Sequence, residues 1–227
     1  MPADFPFDVV AFDLDGTLAD TAPDLTAALN HALGRLGRPP VAADEVRHMV
    51  GHGARALLQK GLAATGEMTE ALVEEGFPIF IAYYLDHIAD GSTIYPGLDQ
   101  ALDELARRGV RLAVCTNKAE ELARRCIDEL GWRDRFHALV GGDTLPVRKP
   151  DPAPLMEAIT RCGGGRAAYV GDSITDSDTG KSANIPTIVV SFGFSDRPAD
   201  QLDAAAVIDH FDQLIPTLER LGQSGDR

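Results

Sequence analysis

The chain has 227 residues, enough for one large domain or for a core domain carrying a smaller insert. Its apolar fraction of 44% is that of an ordered globular protein. With 35 acidic against 21 basic side chains the formal net charge is −14, which excludes a general nucleic-acid partner, because phosphate-backbone binding needs a clustered basic surface. An anionic ligand would have to be met by a local positive field, from a metal ion or from one or two placed cations.

The opening MPADFPFDVV has no basic n-region and no long apolar run, so it does not read as a signal peptide. The apolar stretch from Phe77 to Leu85 is about half of the roughly 18 residues that a membrane span needs. Cys115, Cys126 and Cys162 are odd in number and lack paired spacing, which favours plain thiols in a reducing cytoplasm. The expectation is a soluble cytoplasmic protein, monomer or homodimer, with no membrane and no nucleic acid among its partners.

In chain order, FDVVAFDLD is an apolar run ending in acids, the pattern of a buried parallel strand whose carboxyl end meets polar chemistry. Helical patterns follow over Pro23–Leu36, Ala43–Val50, Ala54–Ala64 and Thr69–Ala89, with stops at Gly37-Arg38-Pro39-Pro40 and Gly51-His52-Gly53. Beyond Gly91–Gly97 the pattern becomes an alternation. Helices are predicted over Leu98–Arg108, Ala119–Leu130, Pro152–Cys162, Ile174–Ala183 and Phe211–Leu221. Strands are predicted over Val110–Thr116, Ala138–Gly142, Ala167–Asp172, Thr187–Phe192 and Ala205–Asp209. This predicts an α/β fold: a Rossmann-like, mostly parallel sheet with helices on both faces. The helical stretch interrupts it as an inserted α-helical cap. Residues 1–18 and 92–227 would form the core and 19–91 the cap, joined by linkers near Leu18–Ala22 and Gly91–Gly97, with Gly222–Arg227 as a frayed tail.

Open α/β sheets bind ligands at the carboxyl ends of their strands. The predicted strand ends carry Asp13-Leu14-Asp15-Gly16-Thr17, Thr116-Asn117, Arg148-Lys149-Pro150 and Gly171-Asp172-Ser173, with Asp176 one helical turn on. Crowded carboxylates repel unless protonated or neutralised, and a divalent cation with oxygen ligands removes that repulsion. Magnesium suits few protein carboxylates plus a substrate phosphate, and it lets a carboxylate approach a phosphate dianion. Lys149 and the Thr116 hydroxyl can hold phosphoryl oxygens where transition-state charge gathers. Asp13 and Asp15, two apart on a chain leaving its strand, need not face the same way, so one can meet the electrophile and the other the departing group.

DLDGT, the Thr-Asn strand end, the isolated Lys before Pro, and GDSITD resemble the four ordered motifs of the haloacid dehalogenase superfamily. The resemblance spans essentially the whole chain, insert included. It implies Asp13 as nucleophile and metal ligand. It implies Asp15 as general acid and base with its backbone carbonyl on the metal. Thr116 and Lys149 would hold the phosphoryl group, Asp172 would ligate Mg2+, and Asp176 would support the metal site. Gly16, Thr17 and Asn117 would complete the phosphate pocket. DTAPDL and GGDTLPVRKPDPAPL resemble the phosphoglycolate phosphatase group, which implies a small phosphorylated metabolite as substrate, 2-phosphoglycolate first. A sugar-phosphate mutase is the alternative, and the absence of a His after Thr21-Ala22 argues against it.

Within the insert, Gly51-His52-Gly53-Ala54-Arg55 reads either as a clamp in which backbone amides and Arg55 hold a substrate carboxylate, or as a plain interhelix turn. The histidines show no ligand spacing, and Trp132, Phe77, Phe80, Tyr83 and Tyr84 read as packing residues. Asp143 is either a rim acid or a turn acid.

Overall fold

The computed structural model describes residues 5–195 and 197–224. In chain order the elements are β1 (Val9–Phe12), β2 (Ala19–Asp20), α1 (Ala22–Arg35), α2 (Ala43–Arg47), α3 (Ala54–Thr65), α4 (Glu70–Asp86), β3 (Thr93–Ile94) and α5 (Leu98–Arg107). They continue with β4 (Arg111–Cys115), α6 (Glu120–Glu129), β5 (Ala138–Val140), α7 (Ala153–Arg161), β6 (Ala167–Gly171), α8 (Ile174–Ala183), β7 (Thr187–Val190), β8 (Ala206–Ile208) and α9 (Leu214–Ser224).

The main sheet has six strands in the order β5-β4-β1-β6-β7-β8. Every pairing in it is parallel. A strand in such a sheet is covered on both faces, which is why β1 is apolar at every position rather than alternating. Val10 and Phe12 enter one core layer, and Val9 and Ala11 enter the other. The first layer is closed by the apolar faces of α5, α6 and α9, and the second by α7, with Ala183 and Ile185 at its edge. The chain runs from β1 outward to β4 and β5, then crosses back to β6 beside β1. Strand order reverses there, and the loops after β1 and β6 diverge to leave a crevice.

Helices α1–α4 lie between β2 and β3. Leu25, Ala28, Leu29, Ala32 and Leu33 of α1 are all buried, an i, i+3, i+4, i+7, i+8 stripe. Each buried leucine is worth about 1.5–3 kcal/mol, so packing on α3 and α4 holds α1 more firmly than helix propensity does. Leu57, Leu58 and Leu62 of α3 and Val73, Phe80 and Tyr84 of α4 are buried against it in the same layer.

Three predicted elements differ. The two linkers pair as a short antiparallel ribbon, Ala19 opposite Ile94 and Asp20 opposite Thr93. Two-residue strands are too short for alternation to reveal, and their partner is distant in sequence. The ribbon is stitched further by Asp24, whose carboxylate accepts from the Gly91 backbone N–H at 2.8 Å and the Ser92 hydroxyl at 2.5 Å. The helix predicted to run to Val50 ends at Arg47 and closes in tight turns, His48 N–H to Glu45 O and Met49 N–H to Val46 O. The last helix starts with a separate 3₁₀ turn at Phe211–Gln213 and runs on to Ser224; residues 225–227 of the predicted frayed tail lie outside the described residues. Among the described residues no helix is long and apolar enough to cross a membrane. The three cysteines are unpaired and buried.

Candidate active site

β1 and β6 are neighbours, so Asp13 and Asp172, the first residue after each, leave the sheet side by side. Gly16 turns the chain in the loop that follows β1, close against Asp172. It sits at φ +82°, and a Cβ there would lie 2.5 Å from Asp172 Oδ2 and 2.9 Å from the Phe194 ring, a cradle that any larger residue would fill.

Asp13 is buried, and its Oδ1 accepts from the Leu14 backbone N–H at 2.7 Å and stands 3.1 Å from Lys149 Nζ. Burial pushes its carboxyl up to about 6; Lys149 and the Thr116 hydroxyl pull against that, and Asp176 and Asp15 add to it. Asp172 accepts from the Thr17 hydroxyl at 3.1 Å on one oxygen and from the Phe194 backbone N–H at 2.6 Å on the other. Its carboxyl is raised well above the ordinary range by burial, with the Asp176 and Asp13 charges adding.

Asp176 opens α8 in a capping box with Ser173, the reciprocal pairing that Ser at the cap and an acid three residues on allow. Its Oδ2 takes the Ser173 hydroxyl at 2.7 Å and the backbone N–H groups of Asp172 and Ser173. Its Oδ1 takes Lys149 Nζ and the Tyr169 hydroxyl, both at 2.7 Å. Burial opposes the Asp176 charge, yet Lys149 and these donors hold its carboxyl below the ordinary value. Lys149 is thus a buried ammonium with Asp13, Asp176 and the Tyr169 hydroxyl around it. Burial alone would lower its proton affinity, and the two carboxylates raise it.

Asp13, Asp172 and Asp176 each offer an oxygen within 4.8 Å of the others. Their all-oxygen donor set and mutual repulsion fit a divalent cation that prefers hard ligands. Asp176 accepts two protein donors on Oδ1 and three on Oδ2, which uses up its lone pairs, whereas each Asp172 oxygen accepts one and keeps a second lone pair for an ion; Asp176 is thus the group that orients Lys149 and the α8 start. Asp13 and Asp172, held above their ordinary range, bind protons in the metal-free native state that the unfolded chain would release, so each withdraws stability as pH rises through its native value. A divalent ion needs both ionised and reverses that loss. The expected result is a rise in Tm on adding the cation that is larger at about pH 7.5 than at about pH 5, measured by thermal melts with and without chelator.

A narrow cleft opens over Asp13, Asp15 and Thr116. Its other walls are Leu25, Val50, Gly51, Gly53, Ala54, Leu57 and Tyr84 from the inserted segment and Asn117–Ala119 and Leu122 from the core. Asp15 faces it, accepting from the Thr21 hydroxyl and from Lys118 Nζ, both at 2.7 Å.

Three expectations need correction. Thr17 does not face a phosphate position; its hydroxyl is committed to Asp172. Asn117 lines the cleft but spends its amide on the carbonyls of Gly51, at 3.0 Å, and Lys149, at 3.1 Å, tying insert to core. Arg55 is turned away from the cleft: its guanidinium bridges Glu70 and Glu74 and lies over the Phe77 ring, so its charge is already met by two carboxylates. Tyr84 packs as expected, yet its hydroxyl is also in the site, 2.6 Å from Lys118 Nζ. Asp143 accepts from the Glu120 N–H at 2.7 Å and caps α6, a turn acid.

Sequence reasoning missed Lys118 and Tyr169. Lys118 is buried between Asp15 and Tyr84, and Tyr169 sits inside β6 at the Lys149–Asp176 pair. A lysine directly after the Thr-Asn strand end was the available signal for the first. Nothing marks Tyr169 within an apolar strand.

Carboxylates on two adjacent parallel-strand ends, a buried lysine beside them and a half-covered cleft define a Rossmann-like α/β enzyme of the acid-centred kind. The chain belongs to the haloacid dehalogenase-like hydrolases, whose family model matches residues 7–184. It is 43% identical over 209 residues to the phosphoglycolate phosphatase of Caulobacter vibrioides, covering 89% of this chain and 86% of that protein. It is 41% identical to the phosphoglycolate phosphatase of Agrobacterium fabrum, covering 94% of each. The crystal structure of a predicted phosphoglycolate phosphatase from Haemophilus somnus 129pt superposes with a TM-score of 0.88 at 29% identity, over 93% of this chain and 97% of that one.

Proposed function

We propose that this protein is a magnesium-dependent phosphatase that hydrolyses small phosphate monoesters through an aspartyl-phosphate on Asp13, with 2-phosphoglycolate as its substrate. The observation that carries this is the placement of Asp13: a buried carboxylate 3.1 Å from Lys149, on the same cleft as Asp15 and Thr116. The relatives' activity supports the substrate.

Asp13, kept ionised at neutral pH by Lys149 against its burial, attacks phosphorus; the ester P–O bond breaks as the carboxylate O–P bond forms. Asp15 gives its proton to the leaving alcohol, then takes one from water as that water attacks the aspartyl-phosphate and releases inorganic phosphate. The Thr116 hydroxyl and Lys149 ammonium face the charge that gathers on the phosphoryl oxygens. Asp13 and Asp172, with the Asp15 backbone carbonyl, would hold magnesium, and Asp176 would orient them. Bound magnesium supplies the charge that lets a carboxylate approach a phosphate dianion.

In this reading residues 19–91 are the cap and residues 1–18 and 92–227 the core, and the cap's apolar wall excludes water and bulky esters. Three buried, unpaired thiols suit a reducing cytoplasm.

Two measurements test this. A panel of small phosphate esters, including phosphoglycolate and hexose 1-phosphates, compared by kcat/KM with magnesium, is expected to rank phosphoglycolate first; a hexose 1-phosphate isomerised without prompt phosphate release would overturn it. Asp15→Asn is expected to lower turnover of alkyl esters by about 10²–10⁴-fold.

A further inference from the structure

We propose that Lys118 is the specificity-determining residue of this cleft, reading a carboxylate on the leaving group of the phosphate ester. The inference rests on the substrate reading above and names the side chain that would enforce it.

Among the residues that line the cleft, Lys118 is the one lysine or arginine. The walls around it, Leu25, Val50, Leu57 and Leu122, are apolar. An apolar wall rejects an unpaired carboxylate, because desolvating a charge without a partner is costly. Arg55, the other cation in reach by sequence, is held by Glu70 and Glu74. A leaving group bearing a carboxylate therefore has a single ammonium to meet.

The placement of that ammonium matches the substrate. Lys118 Nζ lies 2.7 Å from Asp15 Oδ1, and Asp15 is the group that meets the ester oxygen. In phosphoglycolate the carboxylate stands one methylene beyond that oxygen, so a cation hydrogen-bonded to the acid is beside it.

The donor count also matches. An ammonium has three N–H donors. Lys118 spends one on Asp15 and one on the Tyr84 hydroxyl, at 2.6 Å, which leaves a third for a ligand. Its side chain is 3% exposed, and the two partners come from opposite sides of the cleft, Asp15 from the loop after β1 and Tyr84 from α4. A lysine held from two sides loses little further entropy on binding, which favours tight selection over loose attraction.

The test compares kcat/KM for 2-phosphoglycolate, ethyl phosphate and 4-nitrophenyl phosphate in the parent protein, Lys118→Met and Lys118→Gln. Ethyl phosphate keeps the alkyl leaving group and lacks the carboxylate. The parent is expected to prefer phosphoglycolate. Both variants are expected to lose about 10- to 100-fold on phosphoglycolate and far less on ethyl phosphate, the loss of one charge-assisted contact. Equal losses on both alkyl esters with 4-nitrophenyl phosphate spared would show Lys118 acting only through Asp15, and equal losses on all three would show a structural role; either overturns the proposal. A parent without preference for phosphoglycolate would instead overturn the substrate reading beneath it, and that result is visible before any variant is made. If neither variant folds by circular dichroism, Lys118→Arg, which keeps a charge but moves it, takes their place. A larger loss on phosphoglycolate than on ethyl phosphate supports the proposal, and equal losses overturn it.

Discussion

Asp13→Asn is expected to fold as the parent does and to lose at least about 10⁴-fold in kcat, the scale seen when a nucleophile is removed from its constellation. The amide keeps the carboxylate's shape, so the contacts around it survive: the Leu14 N–H still has an oxygen to meet, and Lys149 retains Asp176 and Tyr169. What disappears is the anionic oxygen that attacks phosphorus. Removing a carboxyl raised to about 6 also removes a charge that burial disfavours at neutral pH, so no large fall in metal-free stability should accompany the loss. Phosphate release under saturating magnesium and a thermal melt of the same sample are the two readouts. Turnover equal to the parent's would remove Asp13 from the mechanism.

Lys149→Met has the opposite profile, because it damages both stability and chemistry. Lys149 is 3% exposed and neutralises Asp13 at 3.1 Å and Asp176 at 2.7 Å. Taking away one partner of a buried ionic group costs about 3–5 kcal/mol, since the remaining charges stay desolvated. At about 2–4 °C per kcal/mol for a chain of this size, Tm should fall by about 6–20 °C. The activity that survives should show its acid limb at higher pH. Lys149 is the main influence lowering Asp13 against burial, so without it the nucleophile keeps its proton to a higher pH. Thermal melts and a pH–rate profile measure the two effects separately. A second substitution, Asp13→Asn, should recover part of the lost stability by removing one stranded charge, and the double-mutant cycle would give the size of the coupling. Full additivity would mean that the pair does not interact as the distances imply.

The strand and helix spans of the core were legible because each carries a local signal. β1, β4 and β6 are short apolar runs that end in acids or hydroxyls, and α8 begins where Ser173 and Asp176 can cap it and ends at Asn184, which takes the left-handed conformation at φ 55°. The β2–β3 ribbon was not legible, since a two-residue strand has no periodicity and its partner lies on the far side of the whole insert. Arg55 was misplaced for a related reason: a cation next to a glycine turn looks available until Glu70 and Glu74, a helix away, are brought beside it.

For the site, the sequence by itself determined the order of strand-end acids, hydroxyl and lysine and, through the all-parallel pattern, that those ends share one rim. Tertiary structure alone decided the division of labour. Thr17 went to Asp172 rather than to the cleft, Asp176 saturated itself on Lys149, Tyr169 and Ser173, and Lys118 became a buried cation between Asp15 and Tyr84. Local pattern reports what a segment can bury, because burial repeats with the period of the helix or strand. Which donor meets which acceptor depends on distances between segments remote in sequence, and those exist only once the chain has folded.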